Sequence, residues 1–513
     1  MAEAPDVVET VKQGYAFEGP AIELGALLVD DKPDPAAGVR IPLSMVNRHG
    51  LVAGATGTGK TKTLQLMTEQ LSAAGVAVFA ADIKGDLSGV SQPGVANEKL
   101  LARTTTIGQE WTASGFPTEF YALGGQGTGV PIRATITSFG PVLLSKVLGL
   151  NDVQESSLGL IFHYADKNGL TLLDLKDLRA VIQHLTSDEG KADLKELGGL
   201  SSATAGVILR ALIGFADQGA DAFFGEPEFD TADLMQQRDG RGVVSLLELP
   251  NVQDRPALFS TFLMWLLADL FHDLPEVGDV DKPKLVFFFD EAHLLFDDAS
   301  KAFLDSIAQT VRLIRSKGVG VFFVTQTPKD VPDDVLAQLG SRVQHQLRAH
   351  TPNDAKALKA TVSTFPNSSY DLAEVLTQLG IGEAIVTVMN EKGAPTPVAW
   401  TRLRAPQSLM APAPAEQLAA AVQASANYPK YTEVVDRESA YEKLAAKVQA
   451  GAEQAEAEAE QARTPAQPEP RTSGREEKST VEKVIGSSAF KQFARSAGRE
   501  IVRGLFGSAR RRR

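Results

Sequence analysis

The feature that most constrains this chain is a glycine-rich run made of Gly54, Ala55, Thr56, Gly57, Thr58, Gly59, Lys60 and Thr61. It fits the pattern Gly-x-x-x-x-Gly-Lys-[Ser/Thr], a loop that wraps the phosphates of a nucleotide. The glycines let the backbone curl so that successive N–H groups point at a phosphate. Lys60 then reaches the β- and γ-phosphates, the Thr61 hydroxyl ligates Mg²⁺, and the positive end of the following helix faces the anion.

The residues on either side of this loop suit the motif. Leu51–Ala53 is apolar and predicts a short buried strand, and Thr63–Leu71 carries apolar residues at helical spacing. Strand, loop and helix in that order form the context that a phosphate-binding loop requires. The alternative is a glycine-rich turn that contains Gly-Lys-Thr by chance. We predict ATP and Mg²⁺ as the ligands, with Lys62 as the last residue of the nucleotide contact.

Two acidic residues follow a long apolar run far downstream. The run Lys284–Phe289 shows no polar alternation, which predicts a central parallel strand buried on both faces. Open α/β sheets bind ligands at the carboxyl ends of such strands. Asp290 is therefore predicted to hold Mg²⁺, and Glu291 to activate the attacking water. The alternative is that both acids only begin the next helix.

A third buried strand is predicted at Val319–Thr325, with Gln326 at its tip. Gln326 is placed to touch the γ-phosphate or the attacking water and so to sense hydrolysis, although a glutamine that faces solvent explains the pattern too. A predicted helix before this strand carries Arg312 and Arg315. Arginine suits the stabilisation of transition-state charge from a neighbouring subunit, because its planar fork stays charged.

The segment Val76–Asp82 predicts a further buried strand, directly after the helix of the phosphate loop. This order makes a βαβ unit, so Asp82 and Asp86 should lie at the nucleotide edge of the sheet. Two interpretations of Asp82 stay open. It orients water or Mg²⁺, or it caps a turn, for which aspartate is a favoured residue.

Four stretches together resemble the HerA–FtsK superfamily of hexameric P-loop motors: Gly54–Thr61, Asp82–Asp86, Asp290–His293 and Thr325–Gln326. The chain looks closest to the bacterial HerA-like helicase C-terminal family of the YjgR type, across most of 15–405. The resemblance implies a RecA-like fold, ATP hydrolysis with Mg²⁺, a homohexameric ring and DNA as the translocated substrate.

The resemblance also implies that an arginine before the sensor glutamine reaches the nucleotide of the next subunit. Arg315 is the first choice for that role and Arg312 is the second. Arg342 and Arg348, after the following loop, are further candidates for phosphate contacts. For Asp82, the resemblance suggests a contact with water or Mg²⁺.

Composition sets the outer limits. Hydrophobic residues make up 43% and charged residues 22% of the 513 residues, which is ordinary for a globular protein. The sequence has no cysteine, which excludes disulfides, thiolate metal sites and a cysteine nucleophile. The N-terminus is acidic and lacks the apolar core of a secretory signal. The longest apolar run, Ala257–Ala268, is shorter than the ~20 residues of a membrane span. We therefore expect a cytoplasmic protein without an integral membrane segment.

Periodicity and composition predict an α/β chain with a parallel central sheet, an all-helical insertion and a partly disordered C-terminal tail. The resemblance implies that this chain is a RecA-like P-loop NTPase. The predicted segments are a lead-in with a short β segment (1–40), the first part of the core (41–135), the helical insertion (136–240), the second part of the core (241–404), a helical and low-complexity linker (405–477) and a basic amphipathic helix (478–513).

Three local predictions complete this division. Lys32–Ala36 is rich in proline and is predicted to form a turn. Tyr431–Lys447 is predicted to form one helix. Gln449–Arg475 is rich in Ala, Glu, Gln and Pro and is predicted to be a flexible linker.

Charge is unevenly distributed along the chain. The net charge is −13, yet Lys478–Arg513 holds ten Lys and Arg against two Glu, so an acidic body carries a basic tail. The acidic body argues against a broadly basic DNA-coating protein, although a ring can hold DNA through a few residues that line its pore. The tail has three interpretations. Docking on the motor or the next subunit is favoured because opposite charges attract, and binding of nucleic acid or of an anionic membrane stays open.

The residues predict ATP hydrolysis, and the resemblance implies a motor that is a hexameric DNA translocase or helicase. One alternative is a regulatory ATPase that remodels a protein partner through the helical insertion or the basic tail. Another is a small-molecule P-loop kinase, which would not need a water-activating Glu291 beside Asp290.

Overall fold

The computed structural model describes residues 7–194, 198–249, 256–296, 301–435 and 437–463. The described chain divides into two compact units. The larger unit comprises described residues of 7–162, 173–175 and 203–435, and the smaller comprises those of 163–172, 176–202 and 437–463. The basic helix predicted at 478–513 lies outside the described residues, so its three interpretations stay predictions.

The strands all belong to the larger unit. In chain order they are β1 Ala21–Val29, β2 Lys32–Pro42, β3 Gly50–Ala53, β4 Ala77–Asp82, β5 Thr118–Leu123, β6 Val130–Ile132, β7 Gln237–Arg238, β8 Arg241–Gly242, β9 Val244–Glu248, β10 Leu285–Phe289, β11 Val319–Thr325, β12 Ser341–Gln344, β13 Glu383–Thr387 and β14 Ala399–Leu403. Twelve of them form one sheet in the order β2-β1-β14-β13-β12-β3-β11-β10-β4-β9-β5-β6, and β7 pairs with β8 as a separate ribbon.

The sheet is parallel from β12 through β6 in that order, and β13, β14, β1 and β2 extend it with antiparallel pairs. The predicted α/β class with a parallel central sheet is therefore confirmed. The apolar runs explain why these strands are central: every residue of β10 and of β11 is buried. Burial of each large apolar side chain contributes about 1.5–3 kcal/mol, so such strands are stable only when both faces are covered.

The prediction of a turn at Lys32–Ala36 is wrong, because these residues begin β2. The turn lies one step earlier, at Asp30 and Asp31, which have φ angles of 47° and 59° and join two paired strands as a two-residue hairpin. Prolines are tolerated in β2 because it is the edge strand of the sheet. The predicted lead-in is thus part of the main sheet, since β1 pairs with β14.

The helices in the described ranges have the following bounds. They are α1 Val7–Gly14, α2 Lys60–Ala73, α3 Glu98–Thr106, α4 Ile136–Val147, α5 Asp152–Lys167, α6 Leu175–Thr186, α7 Asp188–Asp193, α8 Ser202–Asp217, α9 Pro256–Asp273, α10 His293–Phe296, α11 Lys301–Ile314, α12 Asp333–Leu336, α13 Pro352–Val362, α14 Leu372–Gln378, α15 Ala415–Ala424, α16 Tyr428–Thr432 and α17 Ala440–Arg463. In the part of the chain that the structure describes, none of them is long and apolar enough to cross a bilayer.

The segment predicted as a helical insertion does contain α4 to α8, but it ends in the strand β7 and is therefore not entirely helical. Its described residues are divided between the two units. Residues 136–162, 173–175 and 203–240 belong to the larger unit, and those of 163–172 and 176–202 belong to the smaller unit. The division of the chain into six segments stays a prediction.

The smaller unit brings α17 together with the middle of the insertion. The Ala440 N–H donates to the Thr171 carbonyl at 2.9 Å, and Lys447 pairs with Glu189 at 2.7 Å. The prediction of one helix over Tyr431–Lys447 is wrong, because α16 ends at Thr432 and α17 begins at Ala440. Of the predicted flexible linker Gln449–Arg475, the part up to Arg463 is helical, since Ala, Glu and Gln are strong helix formers. Residues 464–475 lie outside the described residues, so the prediction stands for them.

The chain that follows β14 is hydrogen-bonded to α2, the helix of the phosphate loop. The Glu69 carboxylate on α2 accepts the N–H groups of Gln407 at 2.8 Å and Ser408 at 2.9 Å, and the Gln65 side chain donates to the Leu409 carbonyl at 2.9 Å. Glu69 is buried, and burial raises its pKa against the lowering effect of these donors. The contacts fix α2, and with it the start of the predicted site.

Candidate nucleotide-binding and hydrolysis site

The carboxyl ends of five neighbouring parallel strands, β12, β3, β11, β10 and β4, meet at one edge of the sheet. Ala53 at the end of β3 is in register with Thr325 of β11 and with Gln344 of β12. Phe289 at the end of β10 is in register with Phe323 and Ala81. The structure therefore brings together the phosphate loop, Asp82, Asp290–Glu291 and Gln326, which the sequence predicted as one site.

The loop after β3 is hydrogen-bonded to β11 and to the chain that directly follows β12. The Gly54 N–H donates to the Thr325 carbonyl at 3.2 Å, and the Ala55 N–H donates to the Gln346 carbonyl at 2.8 Å. Gly59 has a φ of 115°, in the left-handed region that favours glycine, and α2 begins directly after it. Lys60 and Thr61 thus stand in the first turn of a helix, where N–H groups face an anion.

The Lys60 ammonium lies over the loop, where it donates to the carbonyls of Gly54 at 2.6 Å and Ala55 at 3.2 Å. Burial lowers the pKa of Lys60, and the nearby carboxylates of Glu291 and Asp290 act in the opposite direction. Two neutral carbonyls are weaker partners for an ammonium than a phosphate is, because a phosphate adds the attraction between opposite charges.

His345 supports the loop from behind. Its ring nitrogen Nε2 lies 2.9 Å from the Thr63 hydroxyl of α2, and its backbone N–H donates to Ala53 at 2.7 Å. Burial, and then the nearby charge of Lys60, lowers the pKa of His345 to about 4, so the imidazole is neutral near pH 7. His345 is therefore a buried structural support of the phosphate loop.

Lys62, the last predicted nucleotide contact, lies along α2 and donates to the Gln65 side chain at 3.3 Å. Burial lowers its pKa, opposed by the charges of Asp86 and Asp82. Its role at the nucleotide stays a prediction.

Asp290 and Glu291 occupy the end of β10, as predicted. Asp290 is 4% exposed and accepts the Glu291 N–H at 2.9 Å. Burial, and then the Glu291 charge, raises the pKa of Asp290 to about 6. Glu291 has a φ of 49°, in the left-handed region, which costs a residue with a side chain roughly 1–2 kcal/mol. Strain of this kind is frequent at functional sites.

Glu291 forms an ion pair with Lys84, which follows β4. Its other oxygen, Oε2, lies 3.4 Å from His293 Nδ1. Partial burial opposes the charge of Lys84, but the hydrogen bond and the charge of Glu291 outweigh it and raise the pKa of Lys84. The predicted water-activating residue is thus held by a lysine from the neighbouring strand.

Asp82 caps the turn that follows β4. Its two carboxylate oxygens accept the N–H groups of Asp86 at 3.1 Å and Leu87 at 2.8 Å. Burial raises the pKa of Asp82 to about 6, and burial together with the Asp82 charge raises that of its register partner Glu248 to about 8. The capping interpretation accounts for both oxygens of Asp82, and its contact with Mg²⁺ stays a prediction.

Gln326 is exposed at the end of β11, between the strand of the phosphate loop and the strand of Asp290. The turn around it is fixed by Asp330, whose carboxylate accepts the Thr325 hydroxyl at 2.6 Å and the Thr327 N–H at 2.9 Å. This position suits a residue that senses the γ-phosphate.

Arg315 lies at the amino ends of the parallel strands, because it precedes β11. Gln326 lies at their carboxyl ends, because it follows β11. The strand between them spans about 20 Å at ~3.3 Å per residue. Arg315 pairs with Asp279 at 3.6 Å, and Arg312 is exposed on the last turn of α11. Neither arginine reaches the phosphate loop of its own chain, so their proposed role requires a second subunit.

The two other candidate arginines differ in position. Arg348 lies beside the phosphate loop and donates to the Thr56 carbonyl at 3.3 Å. Arg342 lies within β12, where burial lowers its pKa and its side chain donates to the Thr364 carbonyl at 3.2 Å. Only Arg348 of this pair is therefore placed for a phosphate contact.

Sequence reasoning missed Lys84 and His345. Lys84 stands inside the Asp82–Asp86 stretch that pointed to the site, and a lysine at the carboxyl end of a central strand was the signal. His345 had no comparable signal, because only the parallel pairing of β12 with β3 brings it behind the loop.

The comparisons identify the family. The model of the family described as Helicase HerA-like C-terminal matches residues 28–513, so the chain belongs to that family. Membership and fold together make it a P-loop ATPase.

Two curated relatives are DNA double-strand break repair helicases named HerA. That of Saccharolobus solfataricus is 24% identical over 388 residues, which cover 74% of this chain and 68% of the relative. That of Sulfurisphaera tokodaii is 22% identical over 377 residues, covering 72% and 67%. Among solved structures, the plasmid coupling protein TrwB in complex with ADP and Mg²⁺ is similar in fold, with a TM-score of 0.51 and 16% identity over 78% of this chain and 93% of TrwB.

We predict that Gly54→Ala weakens nucleotide binding. A Cβ at this position would lie 2.4 Å from the Cβ of His345, so the loop must shift. Overpacking costs about 1–3 kcal/mol, which corresponds to about fivefold to a hundredfold in affinity. Titration with a fluorescent ATP analogue measures the effect. Gly159→Ala is the matched control, because a Cβ there meets nothing within 4 Å. Equal affinities for the two variants would contradict the close approach.

Proposed function

We propose that this member of the HerA-like helicase family is the subunit of a homohexameric ring that translocates DNA by hydrolysing ATP. The position of β11 carries the proposal: Gln326 stands at the nucleotide edge of the sheet and Arg315 at the opposite edge. An arginine placed in this way is out of reach of the nucleotide of its own chain, so we assign it to the nucleotide of the next subunit. Arginines supplied across an interface are a recurring part of P-loop hydrolysis sites.

The chemistry follows from the residues at the edge of the sheet. The Lys60 ammonium exchanges the carbonyls of Gly54 and Ala55 for phosphate oxygens, because the charged partner is the stronger one. Glu291 accepts a proton from the water that attacks the γ-phosphorus, and the bond to the ADP oxygen breaks. Arg315 of the next subunit stabilises the charge that develops on the transferred phosphoryl group.

The residues present also fit Mg²⁺. The buried Asp290 carboxylate and the Thr61 hydroxyl are hard oxygen ligands of the kind that Mg²⁺ prefers, and burial of Asp290 without a cation is costly, as its raised pKa shows. Mg²⁺ supplies charge neutralisation to the phosphates when bound. A structural relative that binds ADP and Mg²⁺ supports this assignment.

DNA is proposed as the substrate because the curated relatives are DNA repair helicases. The net charge of −13 means that contacts with DNA must be local. An ATPase that remodels a protein partner is the main alternative outcome of the test below.

The first experiment measures steady-state ATP hydrolysis with and without double-stranded and single-stranded DNA. We expect stimulation by DNA, and about a hundredfold or greater loss of kcat in Lys60→Ala and Glu291→Gln, the latter with ATP binding retained. The exposed residues Lys99 and Glu110 provide the matched controls Lys99→Ala and Glu110→Gln. Hydrolysis that ignores every DNA would contradict translocation, and hydrolysis that survives Lys60→Ala would contradict the site itself.

A mixing experiment tests the role of Arg315. Lys60→Ala and Arg315→Ala are each expected to be inactive, but rings that contain both should recover activity, because an intact phosphate loop can face an intact arginine. Random mixing gives about a quarter of the sites this combination. Co-expressed Lys60→Ala and Glu291→Gln serve as the control, since both changes damage the same half of the site. Recovery no greater than in that control would contradict action between subunits.

A further inference from the structure

One ion pair at the site is used by none of the roles described so far. Lys84 contacts Oε1 of Glu291, the residue proposed to take the proton from the attacking water. Lys84 comes from the turn after β4, and Glu291 comes from the end of β10, the strand beside it. The contact therefore joins two elements of the site through the side chain that must react.

The two partners differ in their freedom to move. The Lys84 side chain is 40% exposed, whereas that of Glu291 is 8% exposed. Lys84 is therefore the partner that has room to turn into solvent or toward an anion. Glu291 is fixed at its backbone, because its N–H donates to Asp290 and the N–H of Ala292 donates to the Val324 carbonyl at 2.9 Å.

The remaining contacts of Glu291 leave Lys84 as its chief restraint. Within the described residues, Oε2 is buried without a hydrogen-bond partner, and His293 Nδ1 lies 3.4 Å from it. The charged groups of Asp290 and Lys60 lie nearby, but Lys60 is engaged with its own loop. Release of Lys84 would therefore free the Glu291 carboxylate.

The pairing has a direct chemical consequence. The Lys84 ammonium occupies Oε1 of Glu291, one of the two oxygens that can take the proton from the attacking water, and holds the carboxylate against the turn after β4. Hydrolysis from the paired arrangement thus has a higher barrier than hydrolysis after the pair has opened. An added anion such as a γ-phosphate could compete for the same ammonium.

We propose that Lys84 is a positioning residue that restrains Glu291, so that ATP turnover requires the Lys84–Glu291 ion pair to open. The proposal rests on the ATPase function of the same site and adds a means of keeping basal turnover low. Any event at the ring or its substrate that draws Lys84 away would then stimulate hydrolysis.

The test compares Lys84→Met, which keeps the length of the side chain and removes its charge, with Lys84→Arg, which keeps the charge. Lys99→Met is the matched surface control. Steady-state hydrolysis is measured without DNA, and kcat and KM are determined separately. Binding of a fluorescent ATP analogue shows independently that each variant folds with an intact nucleotide site.

We expect Lys84→Met to raise basal kcat about fivefold, which corresponds to about 1 kcal/mol, with little change in KM. Lys84→Arg should restore the low basal rate, and the gain should vanish in the double variant Lys84→Met/Glu291→Gln. A basal kcat in Lys84→Met that is unchanged or lower than wild type would overturn the proposal. Failure of the proposed ATPase site would give a different result: Lys60→Ala would hydrolyse ATP at the wild-type rate.

Discussion

The parallel register of β3, β11, β10 and β4 is the constraint on which the rest of the site depends. Their carboxyl ends stop at one edge because Ala53, Thr325 and Phe289 are held in adjacent ladders. With strands ~4.8 Å apart and β11 between them, β3 and β10, which lead into the phosphate loop and Asp290, are separated by about 10 Å. Burial of the apolar strands holds this spacing, so core stability and site geometry have the same origin.

The site places two buried carboxylates beside two lysines. Asp82 and Asp290 are both nearly inaccessible, and burial raises the pKa of each to about 6. Lys60 and Lys84 lie beside them, each with a partner that a nucleotide could replace, a pair of carbonyls for Lys60 and a carboxylate for Lys84. The site therefore holds two cations, and for Lys60 the charged phosphate is a stronger partner than its present neutral carbonyls.

Much of this arrangement could be predicted from the sequence, because local residue patterns indicate both the phosphate loop and the buried apolar strands. The predictions failed where tertiary context decided. Lys32–Ala36 contains turn-forming residues but lies on a sheet edge that tolerates proline. The stretch after Gln449 was predicted to be a linker, yet its composition favours a helix, which continues as far as Arg463. Lys84 and His345 matter through partners that are distant in sequence, and no local pattern reports such pairs.

The most direct test of the account is the structure of Glu291→Gln with ATP and Mg²⁺. We expect the triphosphate in the loop Gly54–Thr61, with the Lys60 ammonium on phosphate oxygens instead of the Gly54 carbonyl, and Mg²⁺ between Thr61 and Asp290. ATP bound elsewhere, or Lys60 still on its carbonyls with nucleotide present, would contradict the account.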